Sequence, residues 1–448
     1  MTPPQGATDL LSLAGAALDV RDADAVEVLL TREDSALTRF AESQVHQNTA
    51  RIDGEARVRV VVDGSRVGVV ATNDLSPEGL GAAARAAVEV ARVTPPDEEF
   101  PGFADPASYE AAGVDDEATG HASPADRAAL VAAMLADLGT GMVAAGTAET
   151  GRYEVAVANS LGVAGYHAST RAALTCLVSG DDSTGWAEDM TGTLGSLDAA
   201  AAGRRAVAKV VAGRNPRDVD PGDWPVVLEA PAVSALVEWL CWLALGGRDF
   251  VEGRSAVSGR LGERVCSELV TIVDDPLAAD MLGRPFDAEG TPKRALPLVT
   301  EGVARAVAHD RLSAKLGGTQ STGHAFPAPN PEGGMPANPS LRPGDASLDD
   351  LVAGLERGLL VTRFHYTNAV HPLSTTITGM TRDGTFLVED GQVVGGVRNL
   401  RFTQSVLDAL SAVEAVGRDT LLGSEFGGTV RVPALRIGRF HFSSATSF

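Results

Sequence analysis

The chain has 448 residues, 44% of them hydrophobic and 21% charged, and a formal net charge of −22. Its length exceeds one ordinary hydrophobic core and calls for two domains, while the composition excludes a disordered or fibrous chain. The acidity argues against nucleic-acid binding, which needs a basic face to displace phosphate counterions. Lys209, Lys293 and Lys315 are the only lysines, so nearly all positive charge is arginine. Cys176, Cys241 and Cys266 are odd in number, lie in apolar segments and show no C-x-x-C spacing; they are expected to be reduced thiols of a cytoplasmic protein. The stretch MTPPQGATDLLSLAGAALDV lacks the basic region and long apolar core of a secretory signal, and no later run is long enough to span a membrane.

Residues 7–18 predict an amphipathic helix. Strands follow at 25–30 and 37–40, and Ala56 to Val62 and Val67 to Thr72 form a hairpin through Asp63-Gly64, a pair suited to a positive-φ turn. Ser76 caps a helix with Pro77 in its first turn, running to about Val93. The acidic, Pro- and Gly-punctuated segment 94–123 reads as a solvated surface excursion. A helix at 124–141 precedes strands at 152–157 and 163–178, joined around residues 159–162. Residues 181–189 cluster carboxylates around Trp186 and read as an exposed acidic turn. A helix at 197–212 then leads to NPRDVDPG (215–222), the boundary between the expected domains 1–215 and 222–448.

After a strand at 226–228 comes the segment on which the reading turns, APAVSALVEWLCWLALGG, beginning at Ala230. Pro231 suits a first turn, Gly246-Gly247 a stop, and the helix between is apolar nearly all round, so it belongs inside a soluble domain. Glu238 is its lone carboxylate and must be paired, protonated or functional. Further on, a short buried strand at 269–273, a helix at 300–315 and a Gly/Pro-dense loop or lid at 317–344 are expected. A helix capped by Ser347 and ended by Gly358 leads to strands at 359–366, 374–381, 385–388 and 392–397, with turns at 382–384 and 389–391. A helix at 405–416 and a strand at 429–437 close the chain. The expected class is α+β: an N-terminal antiparallel sheet with helices and a C-terminal β-rich domain, barrel-like or sandwich-like.

GRSAVSGRLGERV from Gly253, GLLVTRFHYTNAVHP from Gly358, TGMTRDGTFLVEDGQVVGGVRNLRFTQS from Thr378 and VPALRI from Val432 together resemble the TldD/PmbA family. The zinc-bearing subunit of that family carries H-E-x-x-x-H on the corresponding helix, two metal-binding His and a general-base Glu. Here the matching residues read VEWLCW: Glu238 takes the Glu position, and both histidines are gone. A Cys ligand that the zinc subunit supplies near its C-terminus is missing too, because no Cys follows Cys266. The resemblance therefore implies a PmbA/TldE-like subunit without metal or cofactor of its own, paired with a zinc-bearing TldD-like partner. That pair would bind extended or modified peptides, with no role for nucleic acid or membrane. Glu238, Arg254, Ser258, Arg260, Thr362, Arg363, Tyr366, Thr378, Arg382 and Asp383 would line or support the cavity or interface; pairing of the arginines with domain-interface carboxylates is the structural counterpart of that reading. Trp239, Cys241 and Trp242 would fill the space of the metal. Two alternatives stay open. One is an independent peptidase with a different metal site drawn from His324, His365, His371 or His441, and the other is a stand-alone peptide-binding scaffold. Ser258 lacks a G-x-S-x-G context for a nucleophile. Whether the peptide is general or belongs to a dedicated maturation pathway is open at this level.

Overall fold

The computed structural model describes residues 6–424 and 428–446. Six strands form its first sheet: β1 (Ala25–Ala41), β2 (Gln44–Val62), β3 (Arg66–Thr72), β4 (Val143–Asn159), β5 (Ala164–Ser179) and β6 (Thr184–Thr191). Their order is β3-β2-β1-β4-β5-β6, and every neighbouring pair is antiparallel. The Asp63-Gly64 turn forms as expected, with φ of 51° and 74°. In contrast, the two short strands expected before residue 41 are one strand. Its polar middle, Thr31 to Ala36, is paired on both sides, with β2 and with β4, so backbone bonding continues the strand where hydrophobicity lapses.

Alternation sorts the sheet into two faces. Even-numbered residues of β1 and β4 meet helices. Val28, Leu30 and Ala156 pack on α1 (Gly6–Leu18) and α2 (Pro77–Val93). After α3 (Glu117–Gly120), α4 (Pro124–Leu135) and α5 (Ala199–Ala212) cover Phe40, Ala144 and Ala148. Odd-numbered Leu29, Val155 and Val157 face the other way and share a small core with Phe286 and Ala288 of the second half. Ser76 caps α2 through Gly79 N, and Ser123 forms a full capping box with Asp126 on α4. The latter helix stops at Leu135 rather than 141, before Gly141 at φ 79°.

The segment 94–123 is not a solvated excursion. Phe103 and Ala104 are buried, Arg59 lies over both Phe100 and Phe103, and Lys315 and Arg311 donate to the carbonyls of Glu98, Phe100 and Gly102. It is a strap that binds the two halves, its acidity facing outward.

The second sheet has 11 strands: β7 (Gly222–Leu228), β8 (Ile272–Asp274), β9 (Leu296–Thr300), β10 (Val303–Ala304), β11 (Pro339–Leu341), β12 (Arg357–His371), β13 (Thr376–Glu389), β14 (Gln392–Gly396), β15 (Leu400–Ser405), β16 (Val413–Gly423) and β17 (Val430–Ala445). The β7–β12–β13–β15–β17 pairings close back on β7 and make a ring, so the barrel-like expectation holds. Closure abolishes open edges within the ring. Phe364, Phe402, Phe440 and Phe442 stack in its core, and α6 (Ala230–Ala244) packs with them in one apolar cluster.

Several elements differ from expectation here. Residues 300–315 are not one helix: β9 turns through Glu301 and Gly302, both at positive φ, into β10, and only α8 (Arg311–Leu316), after the short α7 (Gly247–Val251), is helical. Arg382 to Gly384 is a bulge inside the continuous β13 rather than a turn; Asp383 and Gly384 have the positive φ values of a turn, 53° and 129°, but the ladder to β12 resumes on either side. Helix α9 (Leu348–Ala353) ends at Gly354, before Gly358. Helix α10 (Val406–Ser411) is short, because Val413 onward joins the sheet as β16. The early strand begins at Ile272, Leu269 being 45% exposed. No helix among the described residues is long and apolar enough to cross a membrane.

Candidate functional site

Between the odd-numbered face of the first sheet and the loops of the second lies a groove of about 770 Å³, a size typical of ligand sites. Two rows of residues cross four strands in register to make its floor: Glu55, Thr31, Val155, His167 and Asp53, Glu33, Tyr153, Ser169. At the usual strand spacing the floor is about 14 Å wide, the length of about four residues of extended chain. Arg284, Lys293, Phe326, Pro327, Asn338 and Thr429 form the facing wall.

The charges of floor and wall differ in one respect. On the floor, Glu33 and Asp53 pair with Arg51 at 3.0 and 3.7 Å, Glu55 with Arg57 at 2.5 Å and Arg171 with Glu149 at 3.6 Å. On the wall, neither Arg284 nor Lys293 has a carboxylate partner within 4.0 Å among the described residues. The nearby carboxylates are engaged elsewhere. Asp274, fully buried, faces His324 Nε2 at 3.2 Å and accepts the Asn338 N–H at 2.7 Å. Asp287 accepts the backbone N–H groups of Glu289, Thr291 and Ala325, each at 2.9 Å.

Burial governs the protonation of this cluster. It pushes Lys293 down, with the Arg284 charge adding to the effect and Asp274 and Asp287 opposing it. Arg284 is lowered by the same desolvation. Burial and the charge of Glu289 lift Asp287 to about 7, and burial together with Arg284 lowers His167 to about 4. For Asp274, burial presses upward, but His324, Lys293 and the Asn338 N–H outweigh it and hold the carboxyl below its usual range.

Beside the groove, and sharing Phe326, Ala337, Gly428 and Thr429 with it, is a second cavity of about 40 Å³ against α6. Glu238, 8% exposed, and Cys241 reach it among Trp242, Phe326, Met335, Pro336, Pro339 and Val430. Burial raises the Cys241 thiol well above its ordinary value, and Asp274 and Glu238 add to that shift. A zinc site takes three or four N, S or O ligands. One carboxylate and one protonated thiol do not supply them, and no group of three His, Cys, Asp or Glu among the described residues could hold a metal ion. Trp239 is buried, its Nε1 donating to Thr367 at 2.9 Å, but Trp242 is 37% exposed at the cavity rim, so it does not fill the space by burial.

The other residues singled out in the sequence fall into three places. Thr362, Arg363 and Asp383 meet the first sheet in a latch: Asp383, 3% exposed, takes Arg363 at 2.8 Å and Thr184 at 2.9 Å, and the Arg363 guanidinium lies 4.0 Å from the centre of the Trp186 ring. Thr362 joins Lys209 on Glu229 at 3.2 and 2.7 Å, and Arg382 stands 3.9 Å from Asp383. The arginine–carboxylate pairing at the domain interface thus describes Arg363. Arg254, Ser258 and Arg260 sit apart after α6, pairing with Asp249 and Glu252, the Phe250 carbonyl, and Glu263. Thr378 bonds the Phe402 carbonyl within the barrel, and Tyr366 is 76% exposed on β12. None of these lines the groove. The residues 181–189, expected as an acidic turn, mostly form β6, and Trp186 serves the latch.

The candidate metal histidines are dispersed. His324 is buried against Asp274, His441 pairs with Asp223 at 2.7 Å, and His371 is exposed with Ser374. The strand expected to break between His365 and His371 continues through both as β12, with irregular register between them. Lys293, Arg284, His167 and Asp274 were not singled out beforehand. The scarcity of lysine was the one signal pointing at Lys293.

Residues 221–444 match the PmbA/TldA metallopeptidase C-terminal domain, 26–91 its domain 1 and 117–214 its central domain. A metalloprotease of Methanothermobacter thermautotrophicus is 27% identical over 235 residues, 52% of this chain and 51% of that protein. A metalloprotease TldD homolog of Buchnera aphidicola is 25% identical over 232 residues, 50% and 47% of the two chains. The chain thus spans about half the length of these curated relatives. In fold it is similar to TldE from Thermococcus kodakarensis, with a TM-score of 0.88, 22% identity, and 96% of this chain and 99% of that one covered.

Proposed function

Because the chain belongs to the PmbA/TldD metallopeptidase family, we propose that it is a metal-free, TldE-like subunit of a heterodimeric zinc metallopeptidase, with peptides held in its groove for cleavage at the partner's zinc. Helix α6 carries this reading. It keeps Glu238 and places Val237 and Trp242 where zinc-binding histidines would stand, and the described residues that line the cavity it borders do not supply a zinc ligand set. An extended peptide suits the groove. The floor is the face of an antiparallel sheet, the width admits about four residues, and recognition through main-chain hydrogen bonds tolerates varied side chains.

Purification with a zinc-bearing TldD-like partner, then metal analysis and peptide hydrolysis by each chain and by the mixture, tests the proposal. Zinc and hydrolysis are expected in the partner-containing sample, and the same pair of results from this chain alone would overturn it. Glu238→Gln should leave hydrolysis by the complex within a few fold; a collapse with the assembly intact would make Glu238 catalytic. Peptide binding by this chain with no gain in hydrolysis on adding the partner would favour a stand-alone peptide-binding protein.

A further inference from the structure

We propose that Lys293 and Arg284 form a carboxylate-binding subsite at one end of the groove, which fixes the direction in which a peptide lies. The inference rests on the peptide reading of the groove and adds to it the group that is recognised and the residues that recognise it.

Its starting point is the contrast between floor and wall. The acidic groups of the floor are each within ion-pair distance of an arginine, whereas Lys293 is 4% exposed, borders the groove and has no partner within 4.0 Å among the described residues. Arg284, partly buried on the same wall, likewise has no carboxylate within 4.0 Å among the described residues. The two cations repel each other, Lys293 being lowered in part by the Arg284 charge, and the buried Lys293 loses hydration. Asp274 and Asp287 offset part of that cost through space, but their oxygens are taken by His324 and by backbone N–H groups and make no close ion pair with either cation. An incoming carboxylate would accept from both and relieve the repulsion.

Position supports the same assignment. Arg284 acts electrostatically on His167, the β5 end of the floor row that begins at Glu55 on β2. A chain crossing the strands therefore has its anionic end near β5 and its other end about 14 Å away near β2, about four residues along. With His167 neutral, the end near β5 carries the Arg284 and Lys293 donors, and the nearby Asp115 is held by Arg152 at 2.8 Å. Both the C-terminal carboxylate of a short peptide and an acidic side chain supply the required chemistry.

Fluorescence anisotropy with the full chain and N-terminally labelled tetrapeptides separates these sources. The probes are an uncharged sequence with a free C-terminal carboxylate, the same sequence as its amide, and an amide carrying Glu in the last position. The free acid is expected to bind at least about tenfold more tightly than the neutral amide. Lys293→Met and Arg284→Met should each remove most of that difference, and Lys293→Arg should retain it; thermal melts verify the fold of every variant. Tight binding of the Glu amide extends the subsite to side chains, and weak binding confines it to C-termini. Equal affinity of acid and neutral amide for the wild-type chain would overturn the subsite while leaving peptide binding standing. Absence of binding by all three would overturn both.

Discussion

Two charged regions lie between the sheets, and they are built on opposite terms. In the latch, Arg363, Asp383, Lys209 and Glu229 all find partners from the other half of the chain or from neighbouring strands. At the groove wall, Lys293 and Arg284 find none within ion-pair distance among the described residues. The first arrangement resists separation, because removing Arg363 strands the buried Asp383 carboxylate and removing Asp383 leaves the partly buried Arg363 without its partner. The second leaves unspent attraction for a ligand. Residues that look alike in sequence, an arginine near an aspartate, thus divide into those that hold the molecule together and those available to bind.

The largest expected effect is at the latch. Asp383→Ala strands Arg363 beside Trp186 and releases Thr184, so a loss of about 3 kcal/mol is expected in urea unfolding; a loss under about 1 kcal/mol would place the latch among ordinary surface pairs. Next comes the floor. His167 titrates near 4 in the fold against 6.5 for an unperturbed histidine, so the unfolded chain takes up a proton that the folded chain refuses. Stability is fully retained above about pH 6.5 and is lost as pH falls toward 4, by about 3 kcal/mol at most. His167→Gln should flatten that part of the pH–stability curve; an unchanged slope would assign acid sensitivity to other groups. The smallest effect is at the wall. Lys293→Met removes a buried cation that lacks a close partner, so stability should hold or rise by about 1 kcal/mol in the same assay. If instead it falls as far as in Asp383→Ala, Lys293 is a structural partner of Asp274 and the contrast between the two regions disappears.

Much of the fold was legible in local signals. Ser76-Pro77, the Ser347 cap, and the Asp63-Gly64 and Asp390-Gly391 turns act within a few residues, and the structure places each as read. Errors arose where a local signal was correct but its context was not. Asp383-Gly384 has the backbone of a turn yet interrupts a strand, since the β12 partner continues past it. Thr94 to Ser123 has a loop's composition, but Phe100 and Tyr109 tie it to Lys315 and Gly290, more than a hundred positions away. Of the residues named in advance, Glu238 borders the small cavity, and Arg363 and Asp383 meet in the latch.

By itself, the sequence determined the α+β class, the burial of α6, and the presence on that helix of a lone glutamate with no histidine, because residue type and short-range periodicity decide these matters. Only the tertiary structure decided where charge goes unpaired. Residues 31–55, 153–171, 284–293 and 326–338 become neighbours through strand register and loop packing, and burial and Coulomb interaction depend on distance in space rather than along the chain. Arg284 is therefore unremarked in a string of letters, Lys293 is marked there only by the scarcity of lysine, and both are conspicuous in the fold.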